Sequence, residues 1–357
     1  VAKSPQAPRV IRSTAHFARY VGLSRSAVSR VLNEQPGLRP ATIALVQKAM
    51  AETGFTPNAH ARHLRGKSTA VIGVCMENFL TPTAVGKLSV LQTLLAAEGY
   101  STLAEMSRPG SYDKVVRHFL SLRVDGIVFI GHFETPELTL RVADLRRHGT
   151  AYVVVDHSGV ENINTVTLDR VTAMREVAAH LLALKHRRIG LLGLSGPFQT
   201  VTDRLLGLRE TLAARRLDPD RFLVSHDARF ARTDHFEYGR TLARSFAEGP
   251  ECPTAFVAVN DETAVGAMLE FQERGLRVPV DLSIVGFNNQ NLCLMTRPRL
   301  TSVDQQIEPT MAATVRSVLV QIRAPAKAPA AARPVVQLIA PKLIVRDSTG
   351  PAPRLRG

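Results

Sequence analysis

The stretch YVGLSRSAVSRVLN, residues 20–33, sets Val28, Val31 and Leu32 on one helical face with Arg25, Ser26, Ser29 and Arg30 between them. Ser24 is a fitting N-cap, because its hydroxyl can accept from a backbone N–H of the first turn. Only Gly22 and Leu23 separate this helix from one that Ser13 opens, whose apolar face is Phe17, Ala18 and Val21. Glycine takes positive φ without a Cβ penalty, so Gly22 can turn one short helix sharply across the next. A third helix follows Pro40, with Ile43, Val46 and Met50 inward and Gly54 at its end. Arg25, Ser26, Ser29 and Arg30 then form the outer face of the second helix. They are short or forked groups suited to base edges and phosphate oxygens, and they predict a DNA-reading unit.

The charge distribution agrees. The chain has 357 residues and a formal net charge of +14. Residues 1–66 carry ten Lys and Arg against Glu34 and Glu52, which puts +8 in the first fifth of the chain. A basic head on a mildly basic body points to a polyanion such as nucleic acid. Hydrophobic residues make up 45% and charged residues 21%, enough for a sizeable core, and the length suggests two or three units. No apolar run approaches a membrane span, and the opening VAKSPQAPRV lacks the apolar segment of a signal peptide. Cys75, Cys252 and Cys293 lie far apart with no CxxC pairing, which argues against a disulfide framework or zinc site and for a cytoplasmic location.

Beyond Val71 short apolar runs alternate with helical ones. VIGVC, YSTLAEM, GIVFI and AYVVVD read as buried strands, with helices near 86–97, 111–121 and 136–147. RIGLLGL, FLVS, AFVAV and LSIVGF form a second series, with helices near 171–184, 203–215, 236–248 and 261–274. Such alternation predicts an α/β body of two doubly wound parallel-sheet lobes, with ligand in the cleft at the strand ends.

GLSRSAVSRVLN followed by GFTPNAHARHLR resembles the head of the LacI/GalR family of bacterial transcription regulators. KHRRIGLLGL, RLLGLRETL, PTAFVAVNDETAVGAM and GLRVPVDLSIVGF resemble that family's effector domain. The resemblance runs from about residue 10 to residue 349. It implies a small all-α helix-turn-helix head and a body of periplasmic-binding-protein type. The implied boundaries are an N-terminal arm at 1–11, the head at 12–57, a hinge helix and linker at 58–68, and the effector and dimerisation domain at 69–346, before a tail at 347–357. Within that domain the first lobe is expected at about 69–166 and 302–325, and the second at about 167–301 and 333–346. LTSVDQQIE would cross back to the first lobe, and RAPAKAPAAARP (323–334) would be a loose connection.

Carried over residue by residue, the resemblance gives DNA contacts at Ser24, Arg25, Ser26, Ser29, Arg30 and Asn33. In the hinge it gives Asn58, Ala61, Arg62 and Leu64, with Leu64 the wedge in the minor groove. His16 and Arg39 stand where the family usually has Asp and a capping Ser. The implied effector contacts are Asn78, Phe79, Asp156, Arg204, Phe230 (preferred to Phe236 as the stacking aromatic), Asn260 and Asn288. Asp261 reads as a helix N-cap and is left out. The most informative departure is GFNNQN, where the amides Asn288 and Asn289 replace two carboxylates common in the family. Amides bond hydroxyls without repelling a carboxylate, so with Arg204 nearby the pocket favours a sugar acid, such as a gluconate derivative.

The expected protein is a regulator of repressor type that binds a palindromic operator as a dimer and is released by effector. A tetramer stays open, although GPAPRLRG has no heptad repeat. A neutral sugar or purine effector is the alternative, and a sugar-binding transport protein a lesser one. No P-loop, GxSxG or HExxH occurs, so no enzyme, cofactor or metal is expected.

Overall fold

A computed structural model describes residues 11, 13–32, 36–55, 68–108, 110–131, 133–157, 162–196, 199–226, 234–249, 252–324 and 334–353. The chain divides into two compact units, Val1–Thr69 and Ala70–Gly357.

The first unit holds α1 (Thr14–Val21), α2 (Arg25–Leu32) and α3 (Pro40–Thr53). Ser13 caps α1 by accepting from the His16 N–H, and Gly22 ends it with φ of 71°. The Ser24 hydroxyl accepts from the Ala27 N–H at 3.1 Å and so caps α2. Arg39 precedes α3 and makes no side-chain hydrogen bond to cap it. Phe17, Ala18, Val28, Val31, Val46, Ala49 and Phe55 form the core of the unit, with the rings of Phe17 and Phe55 stacked 4.3 Å apart.

The second unit runs β1 (Val71–Met76), α4 (Pro82–Ala97), β2 (Ser101–Met106), α5 (Tyr112–Ser121), β3 (Gly126–Ile130), α6 (Thr135–Arg147), β4 (Ala151–Val155), β5 (Thr165–Leu168), α7 (Arg170–Ala183), β6 (Ile189–Leu192), α8 (Gln199–Ala214), α9 (Pro219–Phe222), β7 (Leu223–Ser225), α10 (His235–Ala247), β8 (Ala255–Ala258), α11 (Asp261–Glu273), β9 (Ser283–Asn288), α12 (Leu292–Met295), β10 (Thr301–Asp304), α13 (Ile307–Arg323), β11 (Val336–Ile339) and β12 (Lys342–Ile344). These strands make two six-stranded sheets, ordered β11-β5-β4-β3-β1-β2 and β12-β10-β9-β8-β6-β7. Among the described residues every strand pairing is parallel except that of β10 with β12.

Each sheet is covered on both faces, which is why its central strands read as unbroken apolar runs. Ile72, Val74 and Met76 of β1 pack toward α4 and α13, whereas Cys75 points to α5 and α6. In the second lobe, α10 and α11 cross closely enough that a Cβ on Gly239 would lie 2.1 Å from the Thr263 carbonyl oxygen. A Cβ on Gly266 would lie 2.0 Å from that of Phe236, so neither helix can carry a side chain at the crossing.

Two expectations about the lobes are corrected. β10 stays in the second sheet, in register with β9 from Thr301↔Val285 to Asp304↔Asn288, so the chain crosses to the first lobe only between Asp304 and Ile307. β11 then takes the open edge of β5 in the first sheet, and the chain returns after Ile339 rather than before residue 333. β5 itself escaped the sequence reading, being four residues long. The loose connection expected at 323–334 lies mostly outside the described residues.

The C-terminal segment is tied under the second sheet. Thr301 N donates to Ser348 Oγ at 2.8 Å, Ser348 Oγ donates to the Ile284 carbonyl at 2.6 Å, and Gly350 N donates to Ser283 Oγ at 3.0 Å. His186 Nε2 donates to the Gly350 carbonyl at 3.0 Å, which leaves Nδ1 to accept from Thr254 Oγ1. Burial lowers the pKa of His186, so the ring holds this network in the neutral form. No helix among the described residues is long and apolar enough to cross a membrane. The three cysteines are free.

Candidate functional site

The head offers one face of α2. Ser24, Arg25, Ser26 and Arg30 are exposed, Ser29 is half-buried, and Val28 and Val31 are held in the core behind them. Neither Arg25 nor Arg30 has an ion-pair partner among the described residues, so both forked donors are available to an outside acceptor. Asn33, Asn58, Ala61, Arg62 and Leu64 lie outside the described residues.

In the body a cavity of about 330 Å³ opens between the lobes at the carboxyl ends of the strands, where a doubly wound sheet places its ligand. It is lined by both lobes and by the crossovers, and five expected residues reach it: Asn78, Asp156, Arg204, Asn260 and Asn288.

Arg204, one turn into α8, is 7% exposed and carries the most distinctive environment. Its Nη1 donates to the Val259 carbonyl at 2.7 Å, its guanidinium lies over the Phe287 ring, and its buried Nε has no partner. Burial first, and the neighbouring Arg170 second, pull its pKa down to about 9. The group stays charged at neutral pH, yet among the described residues no carboxylate forms an ion pair with it.

Asp156 is already engaged. Its Oδ1 accepts from Arg170 Nη2 at 2.8 Å, and its Oδ2 accepts from Lys87 Nζ. Burial pushes this carboxyl up, but the two cations outweigh burial and hold it well below the ordinary carboxylate range. Asn78 is also half-spent, since Oδ1 accepts from the N–H groups of Leu80 and Thr81 as the chain turns into α4. That turn leaves Phe79 exposed and off the cavity wall, against expectation.

Asn260 lines the cavity and also caps α11, accepting from the Thr263 N–H at 2.8 Å. The cap expected at Asp261 is therefore one residue earlier. Asp261 is fully buried and accepts from Ser302 Oγ and from the Gln290 N–H at 2.8 Å. Burial pushes its pKa up to about 6. Asn288 accepts through Oδ1 from Gln305 Nε2 at 2.9 Å, so its amide faces the cavity partly committed.

Phe230 lies outside the described residues, and Phe236 does not line the cavity. The described rings on its wall are Tyr238 and His235. The sequence reading also missed Lys87, Arg170 and Gln305. Lys87 had a legible signal, because it shares the buried stripe of α4 with Leu91 and Leu95 at spacings of four.

Among the buried side chains on the wall there are thus three cations, Lys87, Arg170 and Arg204, against one carboxylate, Asp156. Glu77 and Glu262 line the same cavity from half-buried positions. Among the described residues no group of three or more His, Cys, Asp or Glu could hold a metal ion.

Residues 16–58 match the profile described as bacterial regulatory proteins, lacI family, and residues 178–349 match the periplasmic binding protein-like domain. The HTH-type transcriptional regulator reg1 of Streptomyces lividans is 30% identical over 353 residues, spanning 96% of this chain and 98% of its own length. MalR of Streptomyces coelicolor, another HTH-type transcriptional regulator, is 30% identical over 359 residues, with 96% and 98% covered. Among solved structures, the lac repressor dimer bound to operator and the anti-inducer ONPF superposes with a TM-score of 0.81 at 24% identity, covering 95% of this chain and 99% of that one. These relatives are regulators and not enzymes. With its helix-turn-helix head and two-lobed body, this chain belongs to the LacI family as a DNA-binding transcriptional regulator.

Proposed function

We propose that the protein is a repressor that binds a two-fold operator as a dimer and is released when a sugar acid, such as a gluconate derivative, occupies the cleft. Arg25, Ser26 and Arg30 would read bases in the major groove, and Leu64 would wedge the minor groove between paired hinges. A ligand that closes the cleft would shift the two first lobes of a dimer and alter the spacing of the hinges. The coupling expected is about 1–3 kcal/mol, and it is reciprocal between ligand and DNA.

The observation that carries the ligand class is Arg204, a buried cation with an unpartnered Nε that forms no ion pair among the described residues. A ligand carboxylate would supply the missing counter-charge. Glu77 and Glu262 favour a second reading, a neutral sugar, because half-buried carboxylates accept from hydroxyls and repel an anion. A thermal-shift and operator-release series separates the two. Sugar acids that raise the melting point by a few degrees and release operator, with neutral sugars inert, support the first reading. The reverse order of response discards it.

A further inference from the structure

Lys87 sits where an apolar side chain would serve the fold. It is on the inward stripe of α4 with Leu91 and Leu95 and is 4% exposed. Burying an ammonium there is costly unless it is paired. Its pairing with Asp156 does not account for its presence, because Arg170 Nη2 already neutralises that carboxylate at 2.8 Å. Arg170 is itself fixed to the first sheet, donating through Nη1 to Thr167 Oγ1 at 2.8 Å. Lys87 is therefore one cation more than Asp156 requires. Its ammonium has three donors, of which Asp156 and Gln305 take two, the latter at 3.3 Å. The same residue lines the cavity.

Arg204 faces this cavity from the other lobe. Lys87 belongs to α4 of the first lobe and Arg204 to α8 of the second. Arg204 is pre-oriented by Phe287 beneath it and by the Val259 carbonyl. Burial lowers the pKa of Lys87 and Asp156 raises it, while Arg170 and then Arg204 add smaller lowering effects, so the Arg204 charge is felt across the cavity at Lys87. Two buried like charges on opposite walls of one cavity are an arrangement an anion between them would relieve.

We propose that Lys87 and Arg204 form a clamp, one jaw on each lobe, for a single oxyanionic group of the ligand, with Lys87 setting the preference for an anion. The clamp rests on the anionic-ligand reading above and adds to it a second charge and a mechanical role. The anion is the tie that holds the lobes closed. A carboxylate and a phosphate monoester would satisfy the same jaws, and the probes distinguish them.

The test uses the full chain and thermal shift at constant ionic strength, with low-millimolar sulfate, D-gluconate, D-glucose 6-phosphate and D-glucose, each compared with chloride. Sulfate and at least one of the two anionic sugars should raise the wild-type melting point, and glucose should not. In Lys87→Met and in Arg204→Met the apparent affinity for those anions should fall at least about ten-fold. Lys87→Arg should recover most of the loss. Asp156 keeps Arg170 in the Lys87 variants, and Lys87→Gln carries the test if Lys87→Met does not fold. Equal anion response in wild type and Lys87→Met overturns the clamp, as does a wild type that none of the three anions stabilises. Gluconate binding that depends on Arg204 and not on Lys87 leaves the sugar-acid reading standing and removes the clamp. Glucose 6-phosphate binding that depends on both residues, without gluconate binding, keeps the clamp and replaces the sugar acid with a sugar phosphate.

Discussion

The guanidinium carbon of Arg204 lies 3.8 Å from the centroid of the Phe287 ring. The ring is 1% exposed and is fixed in the core of the second lobe, so it forms a rigid shelf for a charge that has no ion-pair partner among the described residues. A desolvated cation over an aromatic face is worth about 2 kcal/mol. Phe287→Leu should therefore weaken D-gluconate binding about ten-fold and lower the stability of the body by about 1–2 kcal/mol. Calorimetric titration and urea unfolding on the same preparation check both numbers. Unchanged affinity would mean that Val259 alone orients the arginine.

Asp261 gives a pH dependence of definite sign. Its carboxyl titrates at about 6 in the folded protein, above the ordinary value of 3.8, chiefly because it is buried. Between these pH values the folded state holds a proton that the unfolded chain has released. Its contribution to stability is thus complete below about pH 4, falls as pH rises to about 6, and is constant above that. Asp261→Asn should gain on the wild type by up to about 3 kcal/mol between pH 4 and pH 7. Urea unfolding at the two pH values measures this, and a pH-independent difference would show that the carboxyl ionises normally.

The head makes a prediction about sequence preference. Arg25→Ala should cost about 1–3 kcal/mol on the preferred operator and relax selection at one symmetric base position. Binding-site selection with both proteins is the check. A loss spread evenly over all sequences would reassign Arg25 to a phosphate.

Gly239 tests the helix crossing. A methyl group there would sit 2.1 Å from the backbone carbonyl of Thr263, and no rotamer can relieve that contact. Gly239→Ala should destabilise the second lobe by about 2 kcal/mol or more, read as a lower urea midpoint. Wild-type stability in the variant would mean that α10 and α11 separate freely.

The head and the strand–helix alternation were legible because both rest on periodicity: Val28 with Val31 and Val46 with Ala49 at helical spacing, and runs such as GIVFI that are buried on both faces. The place of Arg204, Asn260 and Asn288 on the cavity wall was legible through resemblance to the family. What escaped was set by tertiary partners. Lys87 looks like any solvent lysine until its stripe is seen to point inward at Asp156. The cap falls on Asn260 because its backbone is extended, with φ of −155°, which the dipeptide Asn260-Asp261 does not specify. β11 is recognisable only through β5, because its exposed Val336 and Leu338 give it no buried face of its own.

The three crossings between the lobes, after Leu168, after Asp304 and after Ile339, have a consequence for biogenesis. Neither lobe is a continuous piece of chain. The first sheet lacks an edge strand until residue 339 has been made, and the second lacks β12 and the segment pinned by His186 until residue 350 has followed. A nascent chain therefore emerges from the ribosome with both sheets unfinished and their edges open to other strands. The DNA-reading head has no such dependence, since its core is drawn entirely from residues before 56. Translation halted late in the body would release a folded head on an incomplete receptor, a fragment that can meet DNA but has no means of answering to a ligand.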